Sequence, residues 1–471
     1  DWGEFTMGFV AGRSDKDCRI SFTLGGGDES VYLANVQLRP GGRVGLADGE
    51  SIAGRSVKLY GDNESPDRAI DRMIFLAEIE KKYFDRMRNF IKKDLGCEAL
   101  VTGTIVFGPL GLYGQSDMDF IDAHAYWQHP RFPGRPWDRS NWLIDQKPMV
   151  DYHGEATLPR LAAERLQGKP FTVSEYNHPA PLDSQAECVP LIAAYGAVQD
   201  WDGVWLYTYS HSGDQWYRDH MSSYFDIDTN PAKWGFMRAG TAIFRDAGLR
   251  PFKGRLVVRL ARAGNVLADL AQLQAENSRS LWAVVSEKLS DLNLTRLDRP
   301  LYLSFDSEAN VSPPSPPTPV VVWETGKGQG AFMAGGGAGV LAGHGEKIAA
   351  ISNDAGRIDG TEFVTVTATA LDGRPWFRSG KILLTACGRC ENTGMKFSED
   401  RRTVGLEWGH GPVQIEAVEG SFIVPNPSWK CHALKPDGTI GAEVPVQSEG
   451  GRTFIEIGPK YKTMWYLMTA E

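Results

Sequence analysis

Four short apolar runs constrain the fold of this chain more than any other feature of its sequence. The runs cover residues 99–107, 118–126, 170–175 and 203–209. Helical patterns at 158–166 and 186–200 occupy two of the gaps between them. Strands and helices that alternate at this spacing are typical of parallel β/α units. Since four units make half of an eightfold barrel, the sequence predicts an incomplete TIM-type β/α barrel over residues 56–250.

Different patterns flank this region. Residues 1–55 alternate apolar and polar side chains between glycine-rich breaks, which predicts short antiparallel strands forming part of a β-sandwich. A long amphipathic helix is predicted over 65–96. Residues 251–471 are strand-like again, with a proline-rich segment at 312–319, and predict one or more C-terminal β domains. The predicted fold class is therefore α/β plus all-β, the C-terminal half of a barrel flanked by β-sandwich domains.

Composition narrows the range of partners. Among 471 residues, 50 Lys and Arg stand against 59 Asp and Glu, and this net charge of -9 argues against nucleic acid and anionic membranes as partners. No run of 18 apolar residues occurs, so no membrane span is predicted. The six cysteines are scattered, and the spacing of Cys387 and Cys390 is only half of a zinc motif. We therefore predict no metal and no cofactor.

The third apolar run ends in a carboxylate. Active sites of parallel barrels lie at the carboxyl ends of the strands, where Glu175 is placed. Glu175 shares strand parity with Phe171 and Val173, which predicts that its side chain faces inward at the rim. A glutamate satisfied by a salt bridge is the alternative interpretation. The residues that follow are Tyr176, Asn177 and His178.

The second and fourth runs add polar and aromatic candidates. Asp122, His124 and Tyr126 share one parity, so they can hydrogen-bond a neighbouring carboxylate and hold its charge state. The residues of common parity in the fourth run are Trp205, Tyr207 and Tyr209. Aromatic rings at a barrel mouth stack on the apolar faces of sugars, although such rings also serve as core.

Three strings resemble the later half of a clan A glycoside hydrolase: Asp122-Ala-His-Ala-Tyr-Trp127, Phe171-Thr-Val-Ser-Glu175-Tyr-Asn-His-Pro179 and Gln199-Asp-Trp-Asp-Gly203. The likeness is greatest to large multidomain bacterial glycosidases with a carbohydrate-binding-type sandwich beside or within the barrel. It implies that Glu175 is the nucleophile at the end of strand seven. The predicted substrate-binding residues are His124, Tyr126, Trp127, Tyr176, Asn177, His178, Trp205, Tyr207 and Tyr209.

The chain departs from that pattern in its acid/base. Clan A enzymes carry this glutamate, usually after Asn, at the end of strand four, and strands one to four are not recognisable here. Glu64 in the pair Asn63-Glu64 is the local candidate, although this stretch equally suits a turn that caps the long helix. We therefore predict that the chain alone does not close a barrel. A companion chain, an N-terminal segment or a second copy would supply the rest.

The sequence thus predicts a retaining β-glycosidase that hydrolyses neutral poly- or oligosaccharides by double displacement. Glu175 attacks the anomeric carbon, and Glu64 or a residue outside this chain is the acid/base. The alternative is a non-catalytic carbohydrate-binding protein on a degenerate half barrel. The chain shows no signal-peptide pattern, and an extracellular or periplasmic location is expected from the substrate class.

Overall fold

The computed structural model describes most of the chain between residues 65 and 470. The described ranges are 2–5, 7, 9, 16, 19–22, 30–39, 46–60, 65–214, 217–245, 249, 251, 254–261, 265–276, 280–291, 300–305, 321–326, 329–335, 339–345, 347–348, 356–375, 378–425 and 428–470. Glu64 and the proline-rich segment 312–319 lie outside them. The chain divides into two compact units, residues 1–80 and 81–471.

The described residues before 61 contain no strand. Much of that segment lies outside the described ranges, so the partial sandwich at 1–55 stays a prediction, as does the division of the chain into three domains. The predicted long helix is confirmed as α1, Pro66–Asn89, which ends in a π-helical turn at Phe90–Asp94. The helix begins at Pro66, because proline lacks an N–H group and the first turn of a helix leaves its N–H groups without intrahelical acceptors.

Three parallel strands carry the candidate site. They are β1 (Ile121–Tyr126), β2 (Phe171–Asn177) and β3 (Gly203–Leu206), in the order β1-β2-β3. Helices α2 (Gly108–Gly114), α3 (Thr157–Ala162), α4 (Cys188–Val198), α5 (Pro231–Trp234) and α6 (Met237–Phe244) accompany them, with short 3-10 turns at Met149–Asp151 and Gln185–Glu187. The described residues form no closed barrel, and the half barrel over residues 56–250 stays a prediction.

The first predicted strand is not a strand. Residues 99–107 run beside β1 but pair with it only in an isolated parallel bridge between Ile105 and Asp122. Two backbone hydrogen bonds, from Val106 N to the Asp122 carbonyl and from Asp119 N to the Val101 carbonyl, hold the segment there. A strand needs a continuous ladder, and two bonds at separate points do not make one.

Residues 254–305 correct the prediction that the chain is strand-like from 251 onward. Two helices, α7 (Val266–Glu276) and α8 (Leu281–Asp291), separate the parallel pair β4 (Leu256–Arg259) and β5 (Leu301–Ser304). Leu303 of β5 bridges Leu166 in parallel. The periodicity of 266–276 is helical, with Leu270, Ala271 and Gln274 on the buried side. This stretch is therefore a further parallel β/α element.

The remainder of the chain is antiparallel. Its strands are β6 (Val321–Gly326), β7 (Gln329–Ala334), β8 (Gly339–His344), β9 (Gly356–Ile358), β10 (Phe363–Ala370), β11 (Lys381–Cys387), β12 (Cys390–Thr393), β13 (His410–Ile415), β14 (Gly420–Pro425), β15 (Trp429–Leu434), β16 (Ile440–Val444), β17 (Val446–Glu449), β18 (Arg452–Ile457) and β19 (Trp465–Ala470), with a 3-10 turn at Pro459–Tyr461. An eight-stranded sheet has the order β16-β15-β19-β11-β10-β8-β7-β6, and a four-stranded sheet has the order β17-β18-β14-β9. The two sheets share one hydrophobic core. Strands β12 and β13 form a separate pair.

Helix α4 joins the parallel and antiparallel parts. All eleven of its residues are buried, because it packs against β3, α6 and β8. A helix that is apolar on every side is stable only when other elements cover its whole surface. The eight-stranded sheet thus supports the parallel strands from behind and leaves their other face open.

The buried Glu164, two residues after α3, predicts a pH-dependent stability. Burial raises the pKa of Glu164 to about 8, although the nearby Arg160 opposes this, and Oε2 has no hydrogen-bond partner within the described part of the chain. The folded state then holds a proton that the unfolded state releases above about pH 4.5, so stability falls as the pH rises from 4.5 to 8. We expect Glu164→Gln to remove up to about 1.4 kcal/mol per pH unit of this slope.

Urea unfolding of both proteins at pH 5, 6.5 and 8 measures the effect. The stability of the variant relative to that of the wild type should grow with pH. A constant difference across the three pH values would show that Glu164 has the same charge in the folded and unfolded states.

Candidate active site

Glu175 lies on the open face of the parallel sheet, and a β-bulge puts it there. Ala123 pairs with Val173 and His124 pairs with Glu175, so Ser174 is an extra residue in β2. Phe171 and Val173 are fully buried on the opposite side. Regular alternation would bury Glu175 beside them, but the bulge turns it toward His124. The parity argument for Glu175 is therefore wrong, because the bulge and not regular alternation turns its side chain toward His124.

Two side chains of β1 hold the Glu175 carboxylate. The Tyr126 hydroxyl donates a short hydrogen bond to Oε2, and His124 Nδ1 lies 3.3 Å from the same oxygen. Burial and the hydrogen bond to Glu175 raise the pKa of Tyr126 well above its usual range, so this phenol stays protonated. The carboxylate is 31% exposed. It is therefore fixed in orientation and still accessible to a ligand.

Asp122 anchors the other side of His124. The Ser174 hydroxyl donates to Asp122 Oδ2 at 2.5 Å, and the hydroxyl of Thr172 donates to Oδ1. Because the Ser174 hydroxyl directs its hydrogen to Asp122, its oxygen accepts a hydrogen bond from His124 Nε2, which lies 2.8 Å away. Nε2 of the imidazole therefore carries a proton.

The predicted aromatic platform is exposed. Trp205 is 56% exposed, and Tyr207 and Tyr209 are also open to solvent. A Cβ atom built on Gly203 would come within 2.5 Å of the Trp205 ring and 3.4 Å of Thr172. The indole therefore lies back over Gly203 on the same open face as Thr172. The Tyr207 and Tyr126 ring centroids are 6.3 Å apart, which places Tyr207 next to the residue that binds Glu175.

The other four predicted substrate-binding residues are buried and do not line the open face of the sheet. Trp127 is buried and its indole N–H donates to the Lys147 carbonyl. The remaining three are fully buried: Tyr176, Asn177 and His178. Asn177 donates to the carbonyls of Tyr207 and Phe225, and the Tyr176 hydroxyl lies 2.8 Å from His178 Nε2. Burial lowers the pKa of His178, as does the nearby Lys233, so this imidazole is neutral. These four residues position the strand ends and do not face a ligand.

The structure adds a His–Asp pair that the sequence analysis does not predict. His211 Nδ1 bonds the carboxylate of Asp226, and His211 Nε2 lies 3.3 Å from the Tyr207 hydroxyl. Arg218 bonds the second oxygen of Asp226 and both oxygens of Asp228. The only sequence signal was the position of His211 just after the fourth apolar run, since Asp226 lies in a segment with no periodic pattern.

No cluster of three or more metal-ligating side chains occurs among the residues that the structure places. Within the same residues, no helix is long and apolar enough to cross a membrane. The candidate site combines the carboxylate Glu175, its two partners on β1 and an aromatic rim.

Comparisons with known proteins return nothing similar to this chain: no family model matches, and neither does any curated protein or solved structure.

Proposed function

We propose that this chain is the C-terminal half of a glycosidase barrel and that Glu175 is the nucleophile of a retaining β-glycosidase. The observation that carries the proposal is the Glu175 carboxylate at the carboxyl edge of a parallel sheet, hydrogen-bonded by Tyr126 and still exposed. Retaining enzymes need such a carboxylate to form a glycosyl ester, which water then hydrolyses. A fixed and partly desolvated carboxylate attacks with little reorganisation.

The surroundings of Glu175 favour a neutral saccharide as the ligand. Trp205, Tyr207 and Tyr209 offer exposed rings for the apolar face of a sugar. Two features support a half barrel: the three parallel strands β1 to β3, and the segment at 99–107 that runs beside β1. The open face that carries Trp205 would be the interior of the complete barrel. A companion chain, an upstream segment or a second copy would cover it, and such a covering half is one source of an acid/base for Glu175.

The second candidate is a non-catalytic carbohydrate-binding protein, favoured by the exposed rings of the platform and by the burial of Asp122, the carboxylate on the other side of His124 from Glu175. Incubation with 2-deoxy-2-fluoro glycosides that carry a dinitrophenyl leaving group separates the two. A retaining nucleophile is trapped as a stable ester, and peptide mass spectrometry would locate the added mass on Glu175. Sugar binding without any trapped ester would support the binding protein instead.

Trp205 supplies a test of the platform in either case. We expect Trp205→Ala to weaken oligosaccharide binding by about 1–3 kcal/mol, because the indole loses its stacking contact with the sugar. Isothermal titration calorimetry on wild type and variant measures the change. Trp2, which belongs to the other compact unit, is 75% exposed, and Trp2→Ala serves as a matched control for loss of an exposed indole. Equal affinities for wild type and Trp205→Ala would place the platform elsewhere.

A further inference from the structure

The His–Asp pair beside Tyr207 is built differently from a surface ion pair. Asp226 is 1% exposed, whereas the His211 side chain is half exposed. The same segment offers a contrast in His220, whose partner Asp219 is 74% exposed. Burying a carboxylate is costly, and the chain offsets that cost at Asp226 with several donors. A buried carboxylate behind an accessible imidazole is an arrangement that orients the imidazole and fixes which nitrogen carries the proton.

The donors and acceptors of Asp226, His211 and Tyr207 determine which of their atoms carry protons. The Asp226 carboxylate only accepts, so His211 Nδ1 carries a proton and donates it to Asp226. In the neutral imidazole Nε2 is then an acceptor for the Tyr207 hydroxyl. When Nε2 is protonated, it becomes the donor and the phenol oxygen accepts. Tyr207 can thus pass a proton to or from a ligand without becoming charged itself.

Charged and titratable groups surround the pair. In the described residues they include Asp226, Asp228, Arg218 and the buried Lys233, which interacts electrostatically with Asp226, together with the phenol of Tyr207 on the segment of His211 itself. Burial raises the pKa of Asp226, but hydrogen bonds from His211 and Arg218 outweigh it, and the pKa lies below its usual value. Arg218 pairs with both Asp226 and Asp228, and the Asp226 carboxylate remains an acceptor for His211 Nδ1.

We propose that Tyr207, His211 and Asp226 form a proton relay that serves as the acid/base of this site. The inference rests on the proposed function and gives this chain its own partner for Glu175. As the glycosidic bond breaks, Tyr207 gives its proton to the leaving oxygen and takes one from His211 Nε2, while Glu175 bonds the anomeric carbon. In the second step water gives a proton to Tyr207, whose own proton passes to Nε2, and the hydroxide oxygen displaces Glu175.

Leaving-group dependence tests this relay. A dinitrophenolate departs without a proton, whereas an alkoxide does not, so loss of the acid affects only glycosides of the second kind. We expect His211→Gln and Tyr207→Phe to lower kcat/KM for alkyl glycosides or disaccharides by about 10²–10⁴-fold, and for dinitrophenyl glycosides by less than about tenfold. His220→Gln, the matched control, should change neither.

The outcomes separate this inference from the function on which it rests. Equal losses for both kinds of leaving group would overturn the relay while leaving a glycosidase. Variants that match the wild type on both substrates would do the same. A wild type that hydrolyses neither substrate, and whose Glu175 is not labelled, would remove the glycosidase and the relay together.

Discussion

Glu175→Gln is expected to reduce turnover of an activated aryl glycoside by more than about 10³-fold, because the amide cannot form the glycosyl ester. Glutamine keeps the size of the side chain and an oxygen that accepts from Tyr126, so the variant should fold like the wild type. Its sugar affinity should stay close to that of the wild type. Steady-state kinetics, with circular dichroism as a check on folding, measure the effect.

Two further variants sharpen this experiment. Glu399→Gln removes an exposed carboxylate that lies outside the site and should leave kcat unchanged. In Glu175→Gly, added azide should enter the space of the lost carboxylate and restore turnover by forming a glycosyl azide of inverted configuration. A Glu175→Gln enzyme that keeps more than a few per cent of its activity would show that another residue is the nucleophile.

The second large effect concerns stability. Trp142 is 1% exposed, its ring contacts those of Tyr224 and Trp408 at 4.9 and 5.8 Å, and its indole N–H donates to the Gly405 carbonyl at 3.2 Å. We expect Trp142→Ala to lower the free energy of unfolding by about 3–5 kcal/mol, because it leaves a large cavity between segments distant in sequence. Urea unfolding followed by circular dichroism measures it.

Trp137 lies on the same segment and is the matched control. Its ring is 60% exposed, although it contacts His129 and Phe132. Trp137→Ala should change the free energy of unfolding by no more than about 0.5 kcal/mol. If the two variants unfold at the same urea concentration, Trp142 does not join the segments in the way that the structure indicates.

Local patterns in the sequence were sufficient for several features. Pro66 and the helical spacing after it define α1. The apolar runs predict β2 and β3, and they place Glu175 and Tyr207 near the carboxyl ends of these strands. The shared face of His124 and Tyr126 follows from alternation alone. Each of these depends on neighbours within one element, so the sequence predicts them. The helical period of α7 was also present in the sequence and was overlooked.

Only the tertiary structure decided the rest of the site. The bulge at Ser174 depends on the register between β1 and β2, and register is set by the partner strand and not by the local pattern. Asn177 is buried because the Tyr207 and Phe225 carbonyls, 30 and 48 residues further along the chain, accept from it. The meeting of His211 with Asp226 likewise requires the chain to return across 15 residues. Burial and pairing are properties of contacts distant in sequence, and for that reason no local pattern contains them.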